Sequence, residues 1–69
     1  MSWRDLVLDI GGAGAYPMCR HCIDAIRSRG EQIFVGGMIA DAQECEDDYP
    51  GEAVCDFCGE VEDLYACKD

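Results

Sequence analysis

Two cysteine pairs with the same spacing are the residues of this chain best suited to chemistry. In the first pair two residues separate Cys19 from Cys22, and in the second pair two residues separate Cys55 from Cys58, with Gly59 directly after. Each pair can place two sulfur atoms about 3.5 to 4 Å apart on one side of a tight turn or a first helical turn. Together they supply four thiolates, the shell that structural zinc prefers. The sequence therefore predicts a zinc ion bound by these four cysteines.

Three further potential ligands, His21, Cys45 and Cys67, keep a second arrangement open. Cys45 and Cys67 could join the second pair in a local four-thiolate site, and the first pair with His21 would then hold another metal. Two full sites need eight ligands, whereas the six cysteines and one histidine of the chain supply only seven. We expect Cys45 to be a small buried residue and His21 to point outward. Cys67 is expected to be less easily buried, as a substitute ligand or a frayed thiol.

A chain of this length usually needs a cross-link or a bound metal to stabilise its fold. At 69 residues the burial of apolar surface barely offsets the entropy of the chain. Six cysteines are also typical of secreted disulfide scaffolds, which is the competing interpretation. Residues 1–10 show no signal-peptide pattern, and no apolar run has the length that a bilayer requires. We expect a reducing cytoplasm, that of the host if the chain is phage-encoded, where paired cysteines bind metal.

The charge of the chain is concentrated in its second half. Residues 1–40 carry four acids and four arginines, whereas residues 41–69 carry eleven acids and one lysine, which accounts for the net charge of −10. Adaptation to salt or plain solubility is the alternative explanation, because acids are common on protein surfaces, although it would be expected to acidify both halves alike. We interpret residues 1–69 as a single zinc-stabilised domain with a neutral half (1–40) and an acidic half (41–69).

The acidic half predicts the kind of partner. Its negative field repels nucleic acid and attracts a basic surface. We therefore expect a protein with a basic surface as the partner. One candidate class is nucleic-acid-binding proteins, whose binding site the acids would occupy by mimicking nucleic acid. The acids expected to bind it are Asp41, Glu44, Glu46, Asp47, Asp48, Glu60, Glu62 and Asp63.

Helical spacing predicts two helices in the first half. Ser2 and Asp5 form a capping pair for a short helix over residues 3–10, and the glycines that follow end it. A second helix is predicted from Pro17 to the stop at Gly30, with the first cysteine pair on its buried side. Alternatively, the first pair forms a compact knuckle and the helix begins at Ile23.

The rest of the chain predicts a strand, a third helix and a knuckle. Residues 32–35 favour a strand, which a glycine turn at 36–37 separates from a short acidic helix beginning near Met38. Pro50 and Gly51 end that helix. Residues 53–60 have the pattern of a metal knuckle, in which Gly59 permits a positive φ and backbone amides donate to the thiolates. Residues 61–65 are either a helical turn or the return strand of a hairpin.

These elements predict a small metal-stabilised α+β domain with two to three short helices and a β-hairpin bearing the zinc knuckle.

The motif Cys55-x-x-Cys58-Gly59, after an acidic loop with a proline, resembles the knuckles of zinc ribbons, treble-clef fingers and rubredoxins. In a treble clef the other pair comes from the start of a helix, as predicted for the first pair here, although the chain order is reversed. The resemblance to rubredoxin implies iron and electron transfer. However, Ile23 follows Cys22 where that family has glycine.

The sequence favours a binding protein over an enzyme. A catalytic zinc site keeps an open position and a histidine-rich shell, and this chain has one histidine and no His-x-Glu motif. We expect a zinc-stabilised interaction module or inhibitor, of a kind common among bacteriophage and accessory-gene products. The alternatives are a rubredoxin-like electron carrier and a zinc finger that binds nucleic acid through Arg20, Arg27 and Arg29.

Overall fold

Three helices and a three-stranded antiparallel sheet make up the fold in a computed structural model that describes residues 2–69. This confirms the predicted α+β class. No helix in the described part of the chain is long and apolar enough to cross a membrane. In chain order the elements are α1 (Trp3–Gly11), β1 (Tyr16–Cys19), α2 (Arg20–Ser28), β2 (Phe34–Ala40), α3 (Ala42–Asp48) and β3 (Leu64–Lys68).

The last strand, β3, lies in the middle of the sheet. It pairs antiparallel with β1 on one side, where Cys19 lies opposite Leu64, and with β2 on the other, where Phe34 lies opposite Lys68. Of the two predictions for residues 61–65, the strand is correct from Leu64 onward. It is a central strand rather than the return strand of a local hairpin, and Val61 lies outside it.

The core lies around the central strand. Met18 on β1 and Leu64 on β3 are completely buried, and α1 contributes Trp3 and Val7 to the same cluster. The ring of Trp3 packs against the ring of Tyr49, with 5.2 Å between their centroids, so the first helix is held against the end of α3. No polar or charged residue is buried within residues 2–69. Hydrophobic burial therefore provides the packing energy of this small core.

Helix α1 forms as its sequence predicts. The hydroxyl oxygen of Ser2 accepts a hydrogen bond from the backbone N–H of Asp5 at 3.2 Å, as a capping residue should. The helix ends at the glycine pair that follows Ile10. Its local signals lie within a few residues of one another, which is why the sequence alone predicts this element.

The predicted start of the second helix is wrong. Residues from Tyr16 to Cys19 form strand β1, and α2 begins only at Arg20, which also differs from the alternative start at Ile23. The reason is tertiary, because β1 pairs with a strand more than forty residues later in the sequence. Pro17 has no backbone N–H group. It is tolerated in this edge strand because one side of the strand faces away from the sheet and makes no hydrogen bonds to it. The predicted stop at Gly30, with its positive φ of 84°, is confirmed.

The glycine pair at 36–37 is not a turn, which corrects a second prediction. Strand β2 runs through both glycines to Ala40, so Met38 lies in a strand and not in a helix. Its pairing with β3 shifts register between Val35 and Met38 and again before Ala40, which marks bulges. A Cβ atom at Gly36 would lie 3.2 Å from the carbonyl oxygen of Ala66. A side chain at this position would therefore crowd the neighbouring strand, which glycine avoids.

Helix α3 begins four residues later than predicted, because Asp41 caps it. The carboxylate of Asp41 accepts a hydrogen bond from the backbone N–H of Glu44 at 2.8 Å. Asp41 and Glu44 have the acid-x-x-acid spacing of a capping box, so this signal was present in the sequence. The helical spacing of Met38 and Ile39 instead favoured an earlier start. The helix ends at Asp48, just before the predicted Pro50–Gly51 turn.

Replacing the cap of α3 should destabilise the protein. Asp41→Ala removes the hydrogen bond to the N–H of Glu44 and should lower the free energy of unfolding by about 1 kcal/mol. Asp48→Ala is the matched control at the other end of α3, where loss of an acid relieves repulsion with the helix dipole. Urea unfolding of the two variants and the original chain measures both effects. Equal destabilisation by the two variants would contradict the capping role.

Candidate metal centre

Two different local structures bring four cysteines to one point. The first pair lies at the junction of β1 and α2, where Cys19 is the last residue of the strand and Cys22 lies in the first turn of the helix. The second pair lies in a tight turn at residues 55–59, which precedes β3. This matches the two cysteine sources named in the sequence analysis, a helix start and a knuckle.

The helix side is shaped by the change from strand to helix at Cys19. Its backbone is extended, with φ −79° and ψ 158°, and it occupies the N-cap position of α2. A spacing of three residues then brings Cys22 beside it within the first turn, and both side chains are buried. Burial raises the pKa of the Cys19 thiol, and the backbone N–H of Cys22 at the start of the helix only partly offsets this effect.

The knuckle side is a turn whose backbone encloses the sulfur of Cys55. Gly59, with a φ of 76°, donates its N–H to the carbonyl of Cys55 at 2.8 Å and closes the turn. The N–H of Phe57 donates to the Cys55 sulfur at 3.4 Å. A side chain at position 59 would be strained in this conformation, so glycine is required.

Hydrogen bonds join the knuckle to β1. The N–H of Cys19 donates to the sulfur of Cys55 at 3.4 Å, and the N–H of Asp56 donates to the carbonyl of Pro17 at 2.9 Å. The part played by Pro17 was not predicted, since no local pattern connects it to a turn almost forty residues later. These two bonds fix the distance between the cysteine pairs.

The four sulfur atoms of the two pairs lie within 4.8 Å of one another. The Sγ atoms of Cys19 and Cys58 are 3.8 Å apart, which is about the edge of a tetrahedron whose metal–sulfur bonds are about 2.3 Å long. Cys58 is exposed, and the other three are buried. The cluster could therefore hold a metal ion, and its soft thiolate donors suit zinc, copper(I) or iron.

The pKa values of the buried thiols differ because their surroundings differ. Burial raises the pKa of Cys19 to about 11 and raises the pKa of Cys22 as well. Burial also opposes ionisation of Cys55, but N–H groups of Cys58, Cys19 and Phe57 donate to its sulfur and lower its pKa to about 7. Cys55 is thus the buried ligand candidate that most readily becomes a thiolate.

The other potential ligands lie away from this cluster. Cys45 is buried on α3, as expected, and its sulfur donates to the carbonyl of Glu62 at 3.7 Å. Cys67 is fully buried in the central strand, which corrects the expectation of a frayed thiol, and burial raises its pKa to about 11. His21 is exposed on α2. None of the six cysteines, all within the described residues, is bridged by a disulfide.

The predicted partner-binding acids lie in two segments of the surface. One is α3 with its cap, from Asp41 to Asp48, and the other is the segment 60–63 that leads from the knuckle to β3. The carboxylate of Asp63 accepts a hydrogen bond from the N–H of Ala42 at 2.8 Å, so the two segments meet. All of these acids are exposed except Asp41, which is half-buried. We call this set, with the eight members predicted from the sequence, the acidic surface.

The alternative nucleic-acid interface has three exposed arginines: Arg20 and Arg27 on α2, and Arg29 directly after its end. Arg29 forms an ion pair with Glu31 at 3.6 Å, an exposed contact of small energetic value.

Comparisons of the chain with protein-family models, with curated proteins and with solved structures found no match.

Loss of one candidate ligand should abolish tight metal binding. Even changes outside the ligand shell cost 10–100-fold in affinity, so Cys22→Ser should weaken zinc binding by at least about 100-fold. Cys45→Ala is the matched control, since Cys45 is also buried in a helix but lies outside the cluster. Elemental analysis and a chelator competition measure stoichiometry and affinity. Equal losses in the two variants would contradict the assignment of this cluster.

Metal binding should strengthen as the pH rises. A metal must displace the protons that Cys19 and Cys22 hold at neutral pH, whereas Cys55 loses its own proton near pH 7. The slope of the logarithm of the zinc association constant against pH should therefore decrease by about one as the pH rises through about 7. Chelator competition at a series of pH values measures this slope, and a constant slope through neutrality would be the contrary result.

Proposed function

We propose that this protein is a non-catalytic zinc-binding module that presents its acidic surface to a basic protein. The observation that carries the proposal is the cluster of four thiols within 4.8 Å of one another, joined across two distant segments. Zinc bound by four thiolates has a complete shell and is typically structural. In a chain of 69 residues such a centre would hold the fold together.

The form of the cluster favours zinc over iron. A rubredoxin has two knuckles, whereas here only the second pair lies in one and the first pair lies at the start of α2. A helix start combined with a knuckle is the arrangement that treble-clef zinc fingers use. We therefore propose zinc as the metal.

A structural role is also more consistent with the cluster than catalysis. Four thiol side chains leave no ligand position for water or substrate on a tetrahedral metal. His21, the single histidine and an obvious candidate base, is exposed and lies outside the cluster. We propose that the protein acts by binding and not by chemical conversion.

The metal centre and the acidic surface are adjacent in the chain. Residues 60–63 follow directly from the knuckle, and Asp63 connects them to the start of α3 by its hydrogen bond to Ala42. Metal binding by the knuckle would therefore restrict the position of the acidic surface. Four thiolates and one divalent ion would also add two negative charges to the net charge of −10. A basic surface that normally binds nucleic acid would suit such a field, and covering it would inhibit the partner.

The position of the acids, and not only their number, should determine binding. The test compares two variants of the zinc-loaded protein that each lose four negative charges. The first changes α3 (Glu44→Gln, Glu46→Gln, Asp47→Asn, Asp48→Asn), and the second changes the neutral half (Asp5→Asn, Asp9→Asn, Asp24→Asn, Glu31→Gln). A lysine-rich histone serves as the probe. Its association rate at low salt should fall at least about tenfold for the first variant and much less for the second.

Two outcomes would contradict the proposal. Equal losses in the two variants would mean that net charge acts without regard to position. Retardation of duplex DNA by the zinc-loaded protein would instead favour the alternative interface on Arg20, Arg27 and Arg29.

A further inference from the structure

The two edge strands of the sheet are treated differently. The outer side of β1 is covered by the knuckle, because Asp56 donates to the carbonyl of Pro17 and Cys19 donates to the sulfur of Cys55. Strand β2 is the other edge. Within residues 2–69, the hydrogen bonds of β2 go to β3, and its outer backbone groups have no partner in the chain. The sheet thus keeps one open edge.

The composition of β2 does not protect this edge. Residues 32–40 contain no charge and no proline, although 29% of the chain is charged. Proteins normally discourage pairing at an edge with lysine, proline or bulges, and β2 has only the bulges. Two of its apolar side chains are also accessible, since Phe34 is 72% exposed and Met38 is 47% exposed, whereas Ile39 and Ala40 are buried.

Helix α1 extends the apolar character of this edge. Leu8 and Ile10 are both more than one-third exposed, and α1 packs against β2. The Cγ2 atom of Ile10 lies 3.6 Å from where a Cβ on Gly37 would be. The open edge therefore combines free backbone groups with a neighbouring apolar surface, as peptide-binding edges do.

We propose that β2 binds an extended basic segment of the partner as a fourth strand. Backbone hydrogen bonds to β2 would provide affinity, and Phe34 and Met38 would contact the side chains of the added strand. The acidic surface begins one residue after β2 ends, at Asp41, so lysines or arginines beyond the paired segment would meet it. This inference rests on the proposed function and assigns the partner its docking site.

Charge argues for a basic segment and against a second copy of this chain. Antiparallel pairing of two β2 strands would bring Glu31 and Asp41, the acids that flank each strand, close to those of the other copy. Two molecules of net charge −10 also repel each other. A basic segment would pair with the uncharged strand and place its positive charges near the acids that follow it. Neither the repulsion between flanking acids nor the repulsion between like net charges then applies.

The test uses two synthetic peptides of alternating lysine and valine, seven residues long. The first is unmodified, and the second carries N-methyl groups on every backbone amide, which removes the pairing donors from both edges of the peptide strand without changing its charge. The unmodified peptide should bind the zinc-loaded protein at least about tenfold more tightly, since several backbone hydrogen bonds are lost with the second. It should also slow hydrogen exchange of backbone amides in residues 34–40.

Substitutions on the protein make the test specific. Phe34→Thr combined with Met38→Thr keeps strand-favouring residues but removes the apolar contacts, and should weaken binding of the unmodified peptide severalfold. The matched control is Val61→Thr, because Val61 is an exposed apolar residue outside the sheet, and it should bind as the original chain does.

Three results would overturn the inference. Equal binding of the two peptides would show attraction by charge alone, in which case the proposed function would stand without this docking site. Absence of exchange protection at β2 with the unmodified peptide would exclude the edge. Sedimentation of the peptide-free protein as a dimer with protected β2 amides would identify a second copy as the occupant. Failure of the proposed function is distinct, because peptide binding would then be unaffected by the four substitutions in α3.

Discussion

The rest of the structure depends on the contact between the knuckle and the junction of β1 with α2. Two backbone donors, at Cys19 and Asp56, cross from one segment to the other and hold four sulfurs together. This contact covers one edge of the sheet, aligns the start of α2 and directs the chain from Cys58 towards the central strand. It connects residues that are far apart in sequence, so it must compensate for the entropy of ordering a long segment. A metal at the four sulfurs would strengthen that contact where the small core is weakest.

The local parts of this fold could be predicted from the sequence, and the non-local parts could not. The cap at Ser2 and the glycine turn at 59 depend on residues a few positions apart, and both form as expected. Strand β1 and the second half of β2 were predicted as helix because their apolar spacing fits either period. What selects the strand is pairing with β3, which comes much later in the chain. No pattern within a short window contains that information.

The same distinction applies to the site. The spacing of two cysteine pairs indicated which side chains could meet, and the structure places them together. Spacing could not exclude Cys67, because its burial results from its position in the central strand. Nor could it predict that Pro17 accepts a hydrogen bond from the knuckle. Residue type therefore predicted candidate ligands, whereas long-range pairing determined which of them are near one another.

The position of β3 in the chain has a consequence for the order of assembly. All four cysteines of the cluster precede β3, yet neither β1 nor β2 can join the sheet before residues 64–68 have been synthesised. A metal bound by Cys19 and Cys58 would close the intervening chain first. The segment that must then close to pair Cys19 with Leu64 is roughly sevenfold shorter, which lowers the entropic cost of closure by about 2 kcal/mol. The ion would thus act during folding as a template for the sheet, before it serves as a support for the finished domain.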